Sequence, residues 1–446
     1  MELFRKAYKL KGGNIGMERL PIKEAFEKKA GEKVKLAGWV HEIRALGKIS
    51  FLILRDITGR IQTVAFKGET PEKEFEKVGK ISRESVISIE GIVKASKQAP
   101  GGKEIGIEKV EVLNSAEEML PIDVSDFSKT ELPKRLDYRF LDLHRERTQA
   151  IFKIQSTIMT AYREFMVKEG AIEAIFPVII SSSSEGGTDL FKLDYFEKKA
   201  YLSQSCQLYK QMLACSMEKV FTIFTVWRAE KHNTTRHLNE CRQMDFEMAF
   251  ASDMKVMKIM GECTQYIVQK IIDTNAKELK TLEVELKVPA TKYMTFAEVT
   301  DLMKKEGVHM GKDDLTGEAE EKLGELYPDT IVFVHEWPLS GKPFYIMPKD
   351  ENPNAELANG FDAIYKGMEI TSGGQRIHLP DLLIERLKIK GLNPDQFKDY
   401  IDSFRYGAPP HAGWGMGVER LTMLLLGIKN IREAVLFPRD RDRLTP

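Results

Sequence analysis

The residues best able to do chemistry fall into a few short stretches. Val226 to Phe250 reads VWRAEKHNTTRHLNECRQMDFEMAF and carries Arg228, Glu230, Lys231, His232, Arg236 and His237 within a dozen positions. Guanidinium groups on a structured loop suit a polyphosphate, because their planar fork matches its oxygens. A charged loop that is only solvated has the same composition. Gly360 to Arg376, GFDAIYKGMEITSGGQR, places Asp362 and Glu369 near each other. Paired acids suit Mg²⁺, which takes hard oxygen ligands, although two unrelated surface acids would look alike. Arg376 follows two glycines and could grip a carboxylate with both nitrogens. Lys210, in QLYK, is either a cation for a buried carboxylate or a solvated helix lysine. Glu185, in SSSSEGGTDL, is either a ligand for an ammonium or a surface acid. His411 to Leu421, HAGWGMGVERL, contains a G-x-G-x-x-R run ending at Arg420.

These side chains meet only if the intervening elements fold back on one another. Val220–Trp227 and Met244–Phe250 are apolar runs flanking the cationic loop, which predicts an antiparallel hairpin with a long connection. Asp362 and Glu369 lie seven apart, so a strand would point them to opposite faces; a turn at Lys366-Gly367 is needed to converge them. Thr148 to Lys168 has an apolar helical face (Ile151, Ile154, Ile158, Tyr162, Phe165). After Gly170, residues 172–180 read as a strand interrupted by Pro177. A further helix is expected over 253–277, mainly helical structure over 290–326, and strands over 330–334 and 342–347.

The N-terminal part is different. Five strands are expected at 33–44, 49–55, 61–66, 85–94 and 104–113, with a helix near 71–79 between the third and fourth. That order matches an OB-fold, a small barrel that commonly grips single-stranded nucleic acid. Phe51 is either a core ring or a platform for an unpaired base. Arg44 and Gln62 on neighbouring strands are ordinary surface residues or readers of base edges. His41 and Pro100 read as a surface histidine and a turn proline.

The chain has 446 residues, enough for two or three domains. Lys plus Arg and Asp plus Glu are each 67, so any basic footprint must be local. No apolar run is long enough for a membrane span, and the charged N-terminus lacks the apolar core of a secretory signal. Four cysteines without a C-x-x-C pair indicate neither a zinc ribbon nor a disulfide framework. The expected division is a basic leader over 1–20, the barrel over 21–114, a hinge over 115–147 and a second domain over 148–446. The basic end of the hinge, LPKRLDYRFLDLHRER, is either an RNA contact or a plain linker.

Arg228-Ala229-Glu230, then Arg236-His237-Leu238, then Phe246-Glu247 resemble motif 2 of the class II aminoacyl-tRNA synthetases, most of all the aspartyl enzymes of archaeal type. The long helix with Gly170 and Pro177 is similar to motif 1, and the Gly415–Arg420 run to motif 3. The resemblance implies an α+β fold, an OB-fold followed by an antiparallel catalytic sheet flanked by helices, and a cytoplasmic homodimer. It implies two steps: L-aspartate and ATP give aspartyl-adenylate, which then charges tRNA(Asp). By resemblance Arg228 and Arg420 are catalytic, holding the α- and γ-phosphates. ATP would meet Arg228, Ala229, Glu230, Arg236, His237, Leu238, Glu369, Gly417, Val418, Glu419 and Arg420. Aspartate would meet Glu185, Gln207, Leu208, Tyr209, Lys210, Arg228, Ser372 and Arg376. Mg²⁺ would fall to Glu369, Ser372 and Asp362. The anticodon would meet His41, Arg44, Phe51, Gln62 and Pro100. A His and a Pro at the positions of His41 and Pro100 go with enzymes that also charge tRNA(Asn), which leaves a product for a downstream amidotransferase. Cys206 stands where relatives usually carry Pro. The alternatives are a discriminating aspartyl or an asparaginyl enzyme, a tRNA-independent asparagine synthetase, and a non-catalytic RNA-binding paralogue.

Overall fold

The computed structural model describes residues 18–125, 127–181 and 190–446. Glu185 and the first 17 positions of the expected leader lie outside them. The chain divides into two compact units, Met1–Pro121 and Ile122–Pro446.

In the first unit, β1 (Lys33–Leu46), β2 (Ile49–Asp56), β3 (Gly59–Phe66), β4 (Val86–Ala95) and β5 (Lys103–Asn114) close a barrel in the order β1-β2-β3-β5-β4. A helix over Glu72–Val78 separates β3 from β4. Alternation drives the closure: Val34 and Leu36, Leu52 and Leu54, and Ile87 and Ile89 turn inward and are fully buried. The five expected strands and the helix are all present, each within two or three residues of its expected bounds.

The second unit is built on an eight-stranded sheet. Its strands are β6 (Ile172–Glu173), β10 (Lys219–Trp227), β11 (Glu240–Ala249), β12 (Ala290–Thr295), β13 (Thr330–Pro338), β14 (Leu357–Tyr365), β15 (Met368–Arg376) and β16 (His411–Gly417). They run in the order β12-β13-β14-β15-β16-β11-β10-β6, antiparallel except for the outermost pair at each edge. A small second sheet joins β7 (Ile179–Ile180), β9 (Lys198–Leu202) and β8 (Lys192–Tyr195). Helices Glu146–Lys168 and Asp253–Thr274 bury Ile154, Ile158, Tyr162, Met257, Met260 and Ile267 against Phe221, Phe246, Phe361 and Trp414 of the sheet. Among the described residues no helix is long and apolar enough to cross a membrane.

Three expectations are corrected here. Residues 172–180 do not form one strand; they split around Pro177 into β6 and β7 of different sheets, because Pro cannot donate to a ladder. Residues 342–347 are not a strand. Their apolar run (Phe344, Tyr345, Ile346, Met347) packs with Leu383, Leu387 and Phe397 in a separate core, and only Ile346 bridges to Arg376. Most of the expected hinge belongs to the second unit. Helices Leu132–Asp137 and Arg139–Asp142 are pinned to it, with Arg139 fully buried and donating to Asp142 Oδ2 at 2.6 Å and to the Val435 carbonyl at 2.8 Å. Arg135 and Arg145 also converge on Asp142, so these cations hold the chain rather than offering a free basic face.

Candidate active site

β10 and β11 pair from Lys219↔Met248 to Trp227↔Glu240, which frames the cationic loop of residues 228–239 as expected. The loop is held from behind. Asn239 Nδ2 donates to the carbonyls of Arg228 (2.7 Å) and Glu230 (3.0 Å). Near the C-terminus, Arg432 donates to the Thr234 carbonyl and Arg441 to the Lys231 carbonyl. Arg228, Glu230, Arg236, His237 and Leu238 then line a cavity of about 310 Å³, faced by Glu369, Ser372, Gly417, Glu419 and Arg420. Ala229 continues the loop, and the Val418 side chain turns away into the core.

The acids converge as the turn argument requires. Lys366 and Gly367 form a two-residue turn, both at positive φ (49° and 78°), between β14 and β15, a conformation that suits a tight hairpin and favours Gly. Asp362 pairs across the strands with Ser372. Its carboxylate takes the Lys342 ammonium at 2.5 Å, and its charge also acts on Glu369. Burial first, and the Asp362 charge second, push the Glu369 carboxyl above the usual carboxylate range. Arg420, on the first turn of helix Val418–Leu425, donates to the Glu369 carbonyl at 2.8 Å and lies 3.8 Å from its carboxylate. Glu419 is locked by Arg242 at 2.7 Å.

A second cavity, of about 250 Å³, contains Gln207, Lys210, Asp245, Lys342, Tyr345 and Arg376. Arg228, Gln243, Glu369, Ser372 and Gly415 line both cavities, so they share a wall. Helix Gln207–Met217 turns Gln207, Lys210 and Gln211 inward on one face. Leu208 and Tyr209 instead face a separate cavity of about 180 Å³ with Met212 and Tyr400, so they do not line the one holding Lys210. Cys206 precedes the helix at φ −86°, close to the window that a Pro would take.

Lys210 is 2% exposed. Its Nζ donates to Asp245 Oδ1 at 2.7 Å and to the Trp414 carbonyl at 2.9 Å, with Glu247 at 3.6 Å. Burial pulls this ammonium down, but Asp245 and Glu247 outweigh it and hold the group charged. Arg376 forks onto Glu247 at 3.0 and 3.3 Å. Asp245 Oδ2 is buried, and the Cys206 thiol acts on this carboxylate from the start of the helix. Behind them, His411 accepts from or donates to Gln211 at 3.0 Å and meets the Pro409 carbonyl at 2.8 Å. Burial lowers its pKa, which keeps this ring neutral.

Asp245, Glu247, Gln243 and Lys342 were not singled out from the sequence as site residues. For the first two a signal existed: acids alternating within an apolar strand buried on both faces need partners. The glycines before Arg420 have a packing reason in these two acids. β11 and β16 pair Asp245 with Gly415 and Glu247 with Gly413. A Cβ on Gly413 would sit 2.1 Å from the Phe246 carbonyl and 2.3 Å from the Glu247 carboxylate. Lys342 lies in irregular chain, where no periodicity marks it.

On the barrel, Phe51 is half-buried beside the fully buried Leu52 and Leu54, which decides against a core ring. Its cross-strand neighbours are Arg44 and Val64. Arg44 is salt-bridged to Glu42 at 2.8 Å, and Gln62 donates to Glu104 at 2.7 Å. His41 sits 3.3 Å from Arg55, whose partner across β3 is Arg60, while Glu104 follows the exposed Pro100–Gly102 turn. Burial and the Arg60 charge lower His41 to about 4.

Two protein families match the chain: tRNA synthetases class II (D, K and N) over residues 131–441, and the OB-fold nucleic acid binding domain over 34–113. A relative from Methanopyrus kandleri, an aspartate–tRNA(Asp/Asn) ligase, is 47% identical over 421 residues, covering 93% of this chain and 96% of its own. An aspartate–tRNA(Asp) ligase from Pyrococcus abyssi is 45% identical, covering 95% and 98%. Among solved structures, asparaginyl-tRNA synthetase from Pyrococcus horikoshii with asparaginyl-adenylate superposes with a TM-score of 0.91 at 36% identity, covering 97% and 100%. An aspartyl-tRNA synthetase from Entamoeba histolytica gives 0.87 at 34%, covering 97% and 93%.

Proposed function

The chain belongs to the class II tRNA synthetases of the D, K and N group, and from that premise we propose that it is an aspartate–tRNA ligase acting on tRNA(Asp) and tRNA(Asn). The observation that carries the reading is the wall shared by the two cavities at Arg228. ATP occupies the larger one, with its γ-phosphate toward Arg420 and its α-phosphate at Arg228. Aspartate occupies the smaller one, its side-chain carboxylate between Lys210 and Arg376 and its ammonium toward Asp245. Its α-carboxylate then faces the α-phosphorus across Arg228.

A carboxylate oxygen attacks that phosphorus and pyrophosphate leaves. The terminal ribose hydroxyl of the tRNA next attacks the acyl carbon, AMP leaves, and the aminoacyl ester forms. Positioning and charge neutralisation carry both steps. Glu369 and Ser372 supply oxygen donors at the shared wall that fit Mg²⁺. When bound, that ion screens the phosphate oxygens.

The asparaginyl reading is favoured by the close superposition with an asparaginyl enzyme. It is weakened by the higher identity to aspartate ligases and by Lys210. An uncharged amide would bring no negative charge to the buried Lys210 and Arg376 cations. A homodimer is supported by the exposed apolar run around β6 and β7, where Ile172, Ile175 and Ile179 face outward. The wider tRNA range is supported by His41 and Pro100. It implies that an amidating reaction consumes aspartyl-tRNA(Asn).

Pyrophosphate exchange into ATP tests the activation step. Aspartate should support it in the absence of tRNA, and asparagine should not. Exchange with asparagine alone would reverse the assignment of the smaller cavity.

A further inference from the structure

The loop of residues 228–239 holds a cluster that the two-step reaction does not use as a unit. Glu230, His232 and His237 each present one donor atom, and these atoms lie within 4.8 Å of one another. His232 Nε2 is 2.9 Å from Glu230 Oε2. The two imidazoles meet edge to face, centroids 4.6 Å apart. Thr234 Oγ1 engages His237 Nδ1 at 2.7 Å, which leaves Nε2 of that ring for another ligand.

Two imidazoles and one carboxylate form a borderline donor set that suits Zn²⁺; Mg²⁺ and Ca²⁺ prefer oxygen alone. Ligand atoms on a tetrahedral Zn²⁺ stand about 3.4 Å apart, given bonds of about 2.1 Å. Closing the cluster therefore needs a shift of roughly 1.4 Å at its widest, within reach of the half-exposed His232 ring. The backbone beneath does not have to move, because Asn239, Arg432 and Arg441 already fix it.

We propose that Glu230, His232 and His237 form a three-ligand site for a Zn²⁺-class transition metal at the lip of the larger cavity. Glu230 and His237 line that cavity and His232 does not. Occupancy by the metal therefore withdraws two cavity side chains and inhibits activation. The site itself does not depend on the substrate assignment; only the inhibition does.

Co²⁺ titrated into the metal-free full-length chain is the first probe. One Co²⁺ per chain should bind, with visible absorption of a tetrahedral nitrogen-oxygen site and no thiolate charge-transfer band. That control matters because Cys241 lines the same cavity. His232→Ala should weaken Co²⁺ binding by about tenfold or more, since losing even a partner of a metal ligand typically costs 10- to 100-fold. Aspartate-dependent exchange without added transition metal should stay at the wild-type level in that variant. The Zn²⁺ concentration for half-inhibition should rise by a similar factor. Failure of the wild type to bind Co²⁺ saturably overturns the proposal, as does a thiolate band or an unchanged titration in His232→Ala. Wild-type exchange driven by asparagine instead of aspartate would overturn the function and not this site.

Discussion

Lys210 does two jobs with one ammonium. It faces the smaller cavity, and it neutralises Asp245 while Glu247 stands 3.6 Å away. Lys210→Ala should therefore fail twice. Aspartate-dependent exchange should fall by at least about a hundredfold, the order expected when a buried polar contact to substrate is lost. The fold should also lose about 3–5 kcal/mol, because uncompensated buried acids remain. Exchange kinetics and a urea unfolding curve check the two separately; unchanged exchange would remove Lys210 from substrate recognition. Lys210 and Arg376 were legible in the sequence because each sits in a short run with a family resemblance. The Lys342 partner of Asp362 was not legible, because an acid's spacing says nothing about which cation it will meet. Here Lys342, twenty residues earlier in irregular chain, reaches it first.

Strand register is what turns scattered residues into a site. β11 supplies Asp245 and Glu247, and β16 answers with Gly415 and Gly413 directly opposite. Gly413→Ala would drive a Cβ into the Phe246 carbonyl and the Glu247 carboxylate. We expect it to lower stability by about 1–3 kcal/mol, the usual cost of overpacking, and to displace Arg376's partner. A thermal melt together with exchange kinetics would show both effects, and a fully active, equally stable variant would contradict the packing account. Helix Gly317–Leu326 contributes at the other side. It lays Glu321 on Arg236 at 2.8 Å and Glu320 near Glu369. Burial and the Glu369 charge push Glu320 up to about 7. Between the ordinary carboxylate range and pH 7 the folded chain thus keeps a proton the unfolded chain has lost. This contribution stabilises at low pH and disappears as pH rises through about 7. Glu320→Gln should match the wild type near pH 4.5 and be more stable at pH 8; equal melting at both would remove the shift. Periodicity made the barrel strands, the hairpin and the long helices readable. It failed at residues 342–347, since apolar runs look alike whether they join a ladder or pack in a loop.

At the scale of the whole molecule, two units with separate cores divide the labour. The barrel offers Phe51, Arg44 and Gln62 on its outer surface, and the sheet holds both cavities. The division between them was readable from composition and strand spacing. The position of the boundary was not, because residues 122–147 carry linker-like Pro and charge yet are pinned by Asp142 and the C-terminal carbonyls. The proposed range of tRNA belongs to this scale, since that reading rests on two barrel positions. Exchanging His41 for Trp together with Pro100 for Lys should restrict charging to tRNA(Asp) without altering aspartate-dependent exchange. Equal charging of both tRNAs by that double variant would dismiss these positions as the determinant. The central claim itself is tested most directly by charging purified tRNA(Asp) and tRNA(Asn), each with labelled aspartate and separately with labelled asparagine, in the presence of ATP and Mg²⁺. The prediction is aspartate on both tRNAs and asparagine on neither. Asparagine on tRNA(Asn), or no charging at all, would contradict it.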